Sequence, residues 1–347
     1  MEFSTVLIDW YQKNKRNLPW RDTTDPYKIW ISEIILQQTR VSQGLPYYHA
    51  FITQYPTISD LAMASEKDIL ILWQGLGYYS RARNLHEAAK NIHLYYHGIF
   101  PSDYSTILSL KGIGEYTAAA IASFAFKLPH PVLDGNVYRF ISRLFGIEEP
   151  IDTNQGKKKI QHALGIIFDQ SQPDIFNQAI MEFGALQCVP KKPACDRCAF
   201  SHQCIAYKNR KVDQLPYKRG RTKVVNTFHT YFFIRYKENT YIEQRTEGIW
   251  KNLYQFPMVE SLKSSEDTIC ELSEYFTNNP KIKIIDSYTT KHLLSHRKIY
   301  ATFYTINLNK RPLFLKNNIF EITMKAMGTK YPLSILIQNF MKRNTHD

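Results

Sequence analysis

Four of the chain's five cysteines, Cys188, Cys195, Cys198 and Cys204, follow one another with six, two and five residues between them. Four thiolates this close supply the ligands of a single tetrahedral zinc or the corners of a [4Fe–4S] cluster, and ligand type alone does not choose between the two. A disulfide framework fits less well, because clustered thiols in a large, unsecreted chain are more often metal ligands than bridges. Cys270 stands apart and reads as a small buried core residue. Two carboxylates suit acid–base work. Glu33 lies three residues after Trp30 and four before Gln37, which puts all three near one face of a helix. Asp134 stands in Val132-Leu133-Asp134-Gly135-Asn136, just before another helix, where a carboxylate equally serves as a plain N-cap.

A third pattern is Leu110-Lys111-Gly112-Ile113-Gly114, set between two short helical segments. Gly112 and Gly114 let backbone N–H groups approach a phosphate closely, and the helix starting near Glu115 adds its favourable N-terminal dipole. That is the physics of a hairpin that grips a nucleic-acid backbone without reading sequence. An ordinary tight turn between helices has the same pattern.

These groups must be positioned by a scaffold that is helical over the first two thirds. Asp25 followed by Pro26 is an N-cap with proline at the first helical position, and Trp30, Ile31, Ile34 and Ile35 recur at helical spacing, which predicts a helix over 26–39. Further periodic segments lie near 58–73, 80–96, 102–109, 115–126, 135–145 and 173–187, with short Gly, Pro or polar breaks between them. Residues 205–226 carry Lys208, Arg210, Lys211, Lys218, Arg219, Arg221 and Lys223, with Pro216, Gly220 and no apolar period, and read as a basic linker. Beyond it, Phe228–Tyr236, Tyr241–Arg245 and Ile299–Ile306 are β-rich runs of a small α+β domain. The expected organisation is therefore 1–204, a linker at 205–226, and 227–347.

Length and charge bound the function. A chain of 347 residues, 44% apolar and 22% charged, buries real cores in two domains rather than remaining disordered. Neither a leader nor an apolar run of roughly 18 residues is evident, so a soluble, cytoplasmic protein with no membrane partner is expected. With 44 Lys and Arg against 31 Asp and Glu, the net charge of +13 favours a polyanionic partner. Residues 1–204 are almost balanced, at 20 basic against 19 acidic groups, so the excess belongs to the linker and the C-terminal domain.

In combination and order these features resemble the helix-hairpin-helix DNA glycosylases that carry an iron–sulfur cluster, and among them the MutY family of adenine DNA glycosylases. The carriers are Leu18-Pro19-Trp20-Arg21, Trp30–Thr39, Gly75-Leu76-Gly77-Tyr78-Tyr79-Ser80-Arg81-Ala82-Arg83, Leu110–Thr117, Val132–Val137 and the cysteine spacing, so the likeness runs over nearly the whole chain. The resemblance implies a mainly α fold of a six-helix lobe plus an iron–sulfur lobe, with the active site in the cleft between them. It also implies one [4Fe–4S] cluster on Cys188, Cys195, Cys198 and Cys204, which decides between zinc and iron. The partner it implies is double-stranded DNA with adenine opposite 8-oxoguanine or guanine, bound by a nucleoid-associated monomer.

The same resemblance assigns roles. Glu33 becomes the acid toward adenine N7, and Asp134 the stabiliser of the sugar cation or nucleophile toward it, with Asn136 and Tyr116 orienting Asp134. Such a base must be flipped out of the duplex. Trp20, Arg21 and Gln178 line the receiving pocket; Leu36, Gln38 and Tyr78 contact the DNA, the last two by wedging into the vacated stack. Cousins that also cut the strand carry a Schiff-base lysine where this chain has Tyr116, and a phenol cannot form an imine, so a monofunctional enzyme is implied. Lys111 replaces a proline common in the hairpin. The C-terminal domain resembles a Nudix-like domain, through Gly248-Ile249-Trp250, Phe256-Pro257 and His292-Leu293-Leu294-Ser295-His296. No REx2Ex2 metal-binding run is present, so nucleotide hydrolysis is not expected. Ser295 and His296 match a loop that reads 8-oxoguanine, and Leu294 stands where Phe is common.

Overall fold

A computed structural model describes residues 2–220, 224–261, 276–278, 280–314 and 318–344. Cys270 and the linker cations Arg221 and Lys223 lie outside them. The chain divides into two compact units, one of residues 1–63 and 84–220, the other of 64–83 and 221–347.

The first unit is helical: α1 (Glu2–Asn14), α2 (Pro26–Leu36), α3 (Val41–Gln54), α4 (Ile58–Met63), most of α6 (Ser80–Tyr95), α7 (Tyr104–Ser109), α8 (Glu115–Phe126), α9 (Gly135–Phe145), α10 (Asn154–Ile167), α11 (Pro173–Leu186) and α12 (Ile205–Lys208). α5 (Glu66–Leu72) belongs to the second unit. Asp25 caps α2 by accepting from Tyr27 N, as its type predicts. The helix stops at Leu36 rather than at 39, because Gln37 leaves the helical region and Gln38 takes a left-handed φ of 54°. One core gathers α1, α8, α9, α10 and α11 around Leu7, Phe140, Ile160, Phe176 and Phe183, with Phe200 closing it from the cysteine loop. α2 packs on α3 and α8, where Trp30 is fully buried edge-on to Phe100.

Residues 205–220 are not a free tether. Leu215 is buried and its carbonyl accepts from Arg143 Nε at 3.0 Å. Tyr217 O accepts from Ile151 N, and Arg219 N donates to Asp152. Apolar anchors among many cations hold this segment onto the first unit.

Residues 64–83 belong with the C-terminal residues, although periodicity reads 58–73 as one helix. Ser65 accepts from Asp68 N and starts α5 afresh after α4. The segment then bonds onward: Gln74 Nε2 to Gly328 O at 2.9 Å, Leu333 N to Gln74 Oε1 at 2.7 Å, and Tyr79 Oη to Leu333 O at 3.1 Å. Among the described residues, the second unit also holds a seven-stranded sheet of order β3-β2-β1-β6-β5, with β4 on β1 and β7 on β2. The strands are β1 (Val225–Tyr236), β2 (Asn239–Gln244), β3 (Tyr254–Gln255), β4 (Met258–Ser261), β5 (Ile282–Leu293), β6 (Arg297–Leu308) and β7 (Ile319–Thr323). β1 and β6 run parallel; the other pairs are antiparallel. The helix Ile335–Asn344 covers one face, with Phe340 stacked on Phe303 at 4.2 Å. This is a helical part followed by an α+β sheet domain, as the sequence predicts.

Candidate active site

A cavity of about 530 Å³ opens in the first unit among α2 and the starts of α8 and α9, with α11 behind it. It takes in Trp20, Arg21, Glu33, Leu36, Gln38, Tyr116, Asp134, Asn136 and Gln178 together. Glu33 sits there because α2 turns an otherwise apolar helix toward it; the residue is only 6% exposed. Burial pushes its carboxyl from 4.5 up to about 7, opposed by the hydrogen bond from Tyr116 and reinforced by the nearby Asp134 charge. Tyr116 Oη donates to Glu33 Oε2 at 2.7 Å. The sequence expectation put Tyr116 on Asp134; the structure puts it on Glu33, since α8 delivers its second residue against α2.

Asp134 caps α9. Val137 N donates to its Oδ1 and Asn136 Nδ2 to its Oδ2, both at 2.7 Å. Burial raises this carboxyl too, but the two N–H donors oppose the rise. Asn136 is held in turn: Arg139 Nη2 donates to its Oδ1 at 2.9 Å while Arg139 Nε donates to Cys188 O at 2.7 Å. Gly184 in α11 makes this packing possible, since a Cβ there would lie 2.8 Å from Asn136 Cβ.

Sequence reasoning missed a carboxylate in the same cavity. Glu182, 1% exposed, accepts from Arg16 Nε at 2.8 Å and Nη2 at 2.5 Å, and from Arg21 Nη1 at 3.0 Å and Nη2 at 2.7 Å. Two bidentate guanidiniums outweigh its burial and hold its carboxyl down at about 2. The fork fixes Arg21 at the cavity wall. Tyr11 Oη donates to Gln178 Oε1 at 2.7 Å, which anchors the Gln178 amide at the cavity wall. Trp20 is nearly buried, edge-on to Tyr48.

The four cysteines line one small pocket with Phe140, Arg143 and Phe200. Burial raises the thiols of Cys195 and Cys204 and pushes Cys198 up to about 11, with the nearby Arg143 guanidinium opposing the rise at Cys195 and Cys204. An all-sulfur donor set suits zinc or an iron–sulfur cluster. Among the described residues no group of three or more His, Cys, Asp or Glu is placed to hold a metal ion, and the all-sulfur donor set leaves zinc and iron–sulfur both chemically suited. Arg143, 3% exposed, organises the loop: Nη1 donates to Val189 O at 2.8 Å and to Cys188 Sγ at 3.5 Å, and Nη2 to Pro190 O at 3.1 Å.

Of the hairpin glycines, Gly112 is demanded by geometry: its φ is 78° and a Cβ would lie 2.6 Å from Asn84 Cβ. A Cβ at Gly114 would meet nothing within 4 Å, and Gly114 serves as the N-cap of α8. Tyr78, Ser295 and His296 belong to the second unit, where a cavity of about 570 Å³ is lined by residues 75–80, Arg83, Gly248–Trp250 and His292–Arg297. Tyr78 Oη and Ser295 Oγ are 2.6 Å apart. Tyr78 is 47% exposed, so it is not a core aromatic. Both expected wedges, Gln38 and Tyr78, have left-handed backbones, φ 54° and 47°, a conformation shared by turn and cap residues such as Lys127 and Lys237. Among the described residues no helix is long and apolar enough to cross a membrane.

Residues 31–166 match the family described as HhH-GPD superfamily base excision DNA repair protein. The chain is 35% identical to an adenine DNA glycosylase of Buchnera aphidicola subsp. Baizongia pistaciae over 99% of this chain and 98% of that protein. It is 37% identical to the adenine DNA glycosylase of Homo sapiens over 61% of this chain and 41% of that one. Among solved structures, a thermostable thymine-DNA glycosylase is similar with a TM-score of 0.56 at 30% identity, over 60% of this chain and 95% of that one. An endonuclease III–DNA complex shares the fold, with a TM-score of 0.52 at 21% identity, over 60% and 94% of the two chains. A likeness that spans both chains end to end at 35% identity is that of a family member: this chain belongs to the adenine DNA glycosylases of the HhH-GPD base excision repair superfamily.

Proposed function

We propose that the chain hydrolyses the N-glycosidic bond of adenine paired with 8-oxoguanine or guanine in double-stranded DNA, and leaves the strand uncut. The observation that carries this reading is a buried carboxyl whose proton affinity is raised to about 7, in a cavity of about 530 Å³ that also holds the Asp134 carboxylate. The flipped adenine enters between Trp20 and Arg21 on one side and Gln178 on the other. Glu33, its Oε2 tied to Tyr116, carries its proton on Oε1 and gives it to adenine N7. The C1′–N9 bond then breaks with its electron pair leaving on the base, and Asp134, held by Val137 and Asn136, faces the oxocarbenium charge at C1′. Water adds to C1′ and its proton returns to the Glu33 carboxylate. No amine stands at Tyr116, so no imine to C1′ forms.

Gly112 and Gly114 present their hairpin to the phosphates, Leu36 and Gln38 border the flipped nucleotide, and Tyr78 enters the stack. Cys188, Cys195, Cys198 and Cys204 would hold the [4Fe–4S] cluster, which when bound braces the 188–204 loop. Ser295 and His296, at the tip of the Nudix-like domain, read the base opposite adenine. The decisive measurement is adenine release from duplexes with adenine opposite 8-oxoguanine, guanine or thymine. Release from the first, lost in Glu33→Gln, is expected; no release from the first would overturn the proposal.

A further inference from the structure

The cavity of the second unit has two walls, and both are tied to one carboxylate outside its lining. One wall is the 245–253 segment, closed by Arg245 N to Leu253 O and Asn252 N to Arg245 O at 2.9 and 2.8 Å. It carries three left-handed residues, Gly248, Trp250 and Asn252, with φ of 68°, 62° and 67°, so its shape depends on support from outside. The other wall is the tip joining β5 to β6. Leu294 N donates to Arg297 O at 2.8 Å, which closes a turn with Ser295 and His296 at its two central positions, and Val225 N donates to His296 O at 3.1 Å.

Glu260, on β4, stands between them. Its Oε2 accepts from Arg245 Nη2 at 3.1 Å, and its Oε1 from Arg297 Nη1 at 3.4 Å. Beneath it His229, 1% exposed, places Nε2 at 3.7 Å from Oε1, with Nδ1 3.2 Å from Tyr231 Oη and its ring edge-on to Trp250 at 6.3 Å. Burial holds His229 neutral. Arg245 also donates to Gln255 Oε1 and Met258 Sδ, with Glu243 behind Gln255, and Glu260 is the carboxylate that ion-pairs with both guanidiniums. Without that carboxylate two like charges are left side by side, each on a different wall, and their repulsion drives the walls apart.

We propose that Glu260 is a positioning residue for recognition of the base opposite adenine: by holding Arg245 and Arg297 together it fixes the distance between the Trp250 wall and the Ser295–His296 tip. Specificity then depends on a side chain that does not touch the base it selects for. This rests on the reading of the tip as the lesion reader.

The test is single-turnover adenine release by the full-length, cluster-containing protein on duplexes with adenine opposite 8-oxoguanine and opposite guanine. Wild type is compared with Glu260→Gln, Glu260→Asp and Ser295→Ala. Glu260→Gln, which keeps shape and removes charge, is expected to lower the ratio of the two rates at least fivefold, and Glu260→Asp to restore part of it. Equal losses on both duplexes mean a merely structural role and overturn the inference. An unchanged ratio in Glu260→Gln with a lowered one in Ser295→Ala also overturns it, leaving the lesion-reading tip intact. An unchanged ratio in Ser295→Ala removes the reading of the tip and the inference with it.

Discussion

Glu33→Gln keeps the shape of the side chain and takes away its proton, and it separates the chemical use of this carboxyl from the cost of burying it. Burial lifts Glu33 from 4.5 to about 7. Each tenfold change in proton affinity is about 1.4 kcal/mol, so the ionised form is disfavoured in the folded chain by about 3 kcal/mol. Between these two values the folded chain holds a proton that the unfolded chain has released. The stability of the neutral carboxyl is therefore complete below 4.5 and is lost as pH rises through about 7. Glutamine is neutral throughout and escapes that loss. In urea unfolding of the full chain, the variant is expected to match wild type near pH 4.5 and to exceed it by about 3 kcal/mol at about pH 8. Adenine release should fall at least about 10²-fold at both pH values. A stability gain that is absent, or of equal size at both pH values, would refute burial as the source of the raised proton affinity, whatever happened to the activity.

The acid role makes the rate itself pH dependent: single-turnover adenine release should fall about tenfold per pH unit above about 7, and a rate flat across that range would remove Glu33 as the acid. Glu182→Ala leaves the Arg16 and Arg21 guanidiniums without their shared partner. A loss of about 3 kcal/mol in denaturant stability is expected, with a larger loss of adenine release than in Arg16→Ala, because losing Glu182 unties both cavity-lining guanidiniums at once; a variant as stable and active as wild type would show that the fork is idle. Borohydride reduction during turnover should trap no covalent protein–DNA complex, since Tyr116 offers no amine, and efficient trapping would contradict a monofunctional mechanism.

Much of this architecture is legible in residue spacing, and what is not has identifiable causes. Helices with a clean apolar period and a cap, such as α2 after Asp25-Pro26, stand out. α3 does not, because Gly44 and Pro46 lie inside it and read as breakers; Gly44 is there because a Cβ would meet Leu36 at 3.0 Å and Ile35 at 3.1 Å. β5 escapes notice because a bulge between Ile284 and Asp286 interrupts its alternation. The attachment of 64–83 to the C-terminal residues is carried by Gln74 and Tyr79 bonding to carbonyl and amide groups some 250 positions away, which no local pattern encodes. Glu182 is hidden for the same reason: it sits among Ala179, Ile180 and Phe183 on a helix that reads as core, and its partners Arg16 and Arg21 are more than 160 positions distant.

The two catalytic candidates show where spacing stops and geometry takes over. Glu33 and Asp134 are recognisable as a pair of carboxylates, yet spacing cannot say which of them is the acid, and the expectation that Tyr116 and Asn136 both serve Asp134 would have left Glu33 bare. The observed division differs. Glu33 receives a single phenol, a donor too weak to offset full burial, and its proton affinity stays high. Asp134 receives a backbone amide and a side-chain amide on separate oxygens, at the positive end of α9, and these oppose its burial. Both groups are desolvated; what separates them is the number and strength of the N–H and O–H groups aimed at each. Glycosidic cleavage in the proposed sense needs that separation, one carboxyl still protonated and its neighbour available as an anion near neutral pH. Moving one donor should therefore shift one limb of the rate profile alone: Asn136→Leu, which removes an amide from Asp134 without touching Glu33, is expected to raise the Asp134 proton affinity and to shift the low-pH limb upward while leaving the high-pH limb where Glu33 sets it. A shift of the high-pH limb alone would mean that the roles assigned to the two carboxylates are exchanged.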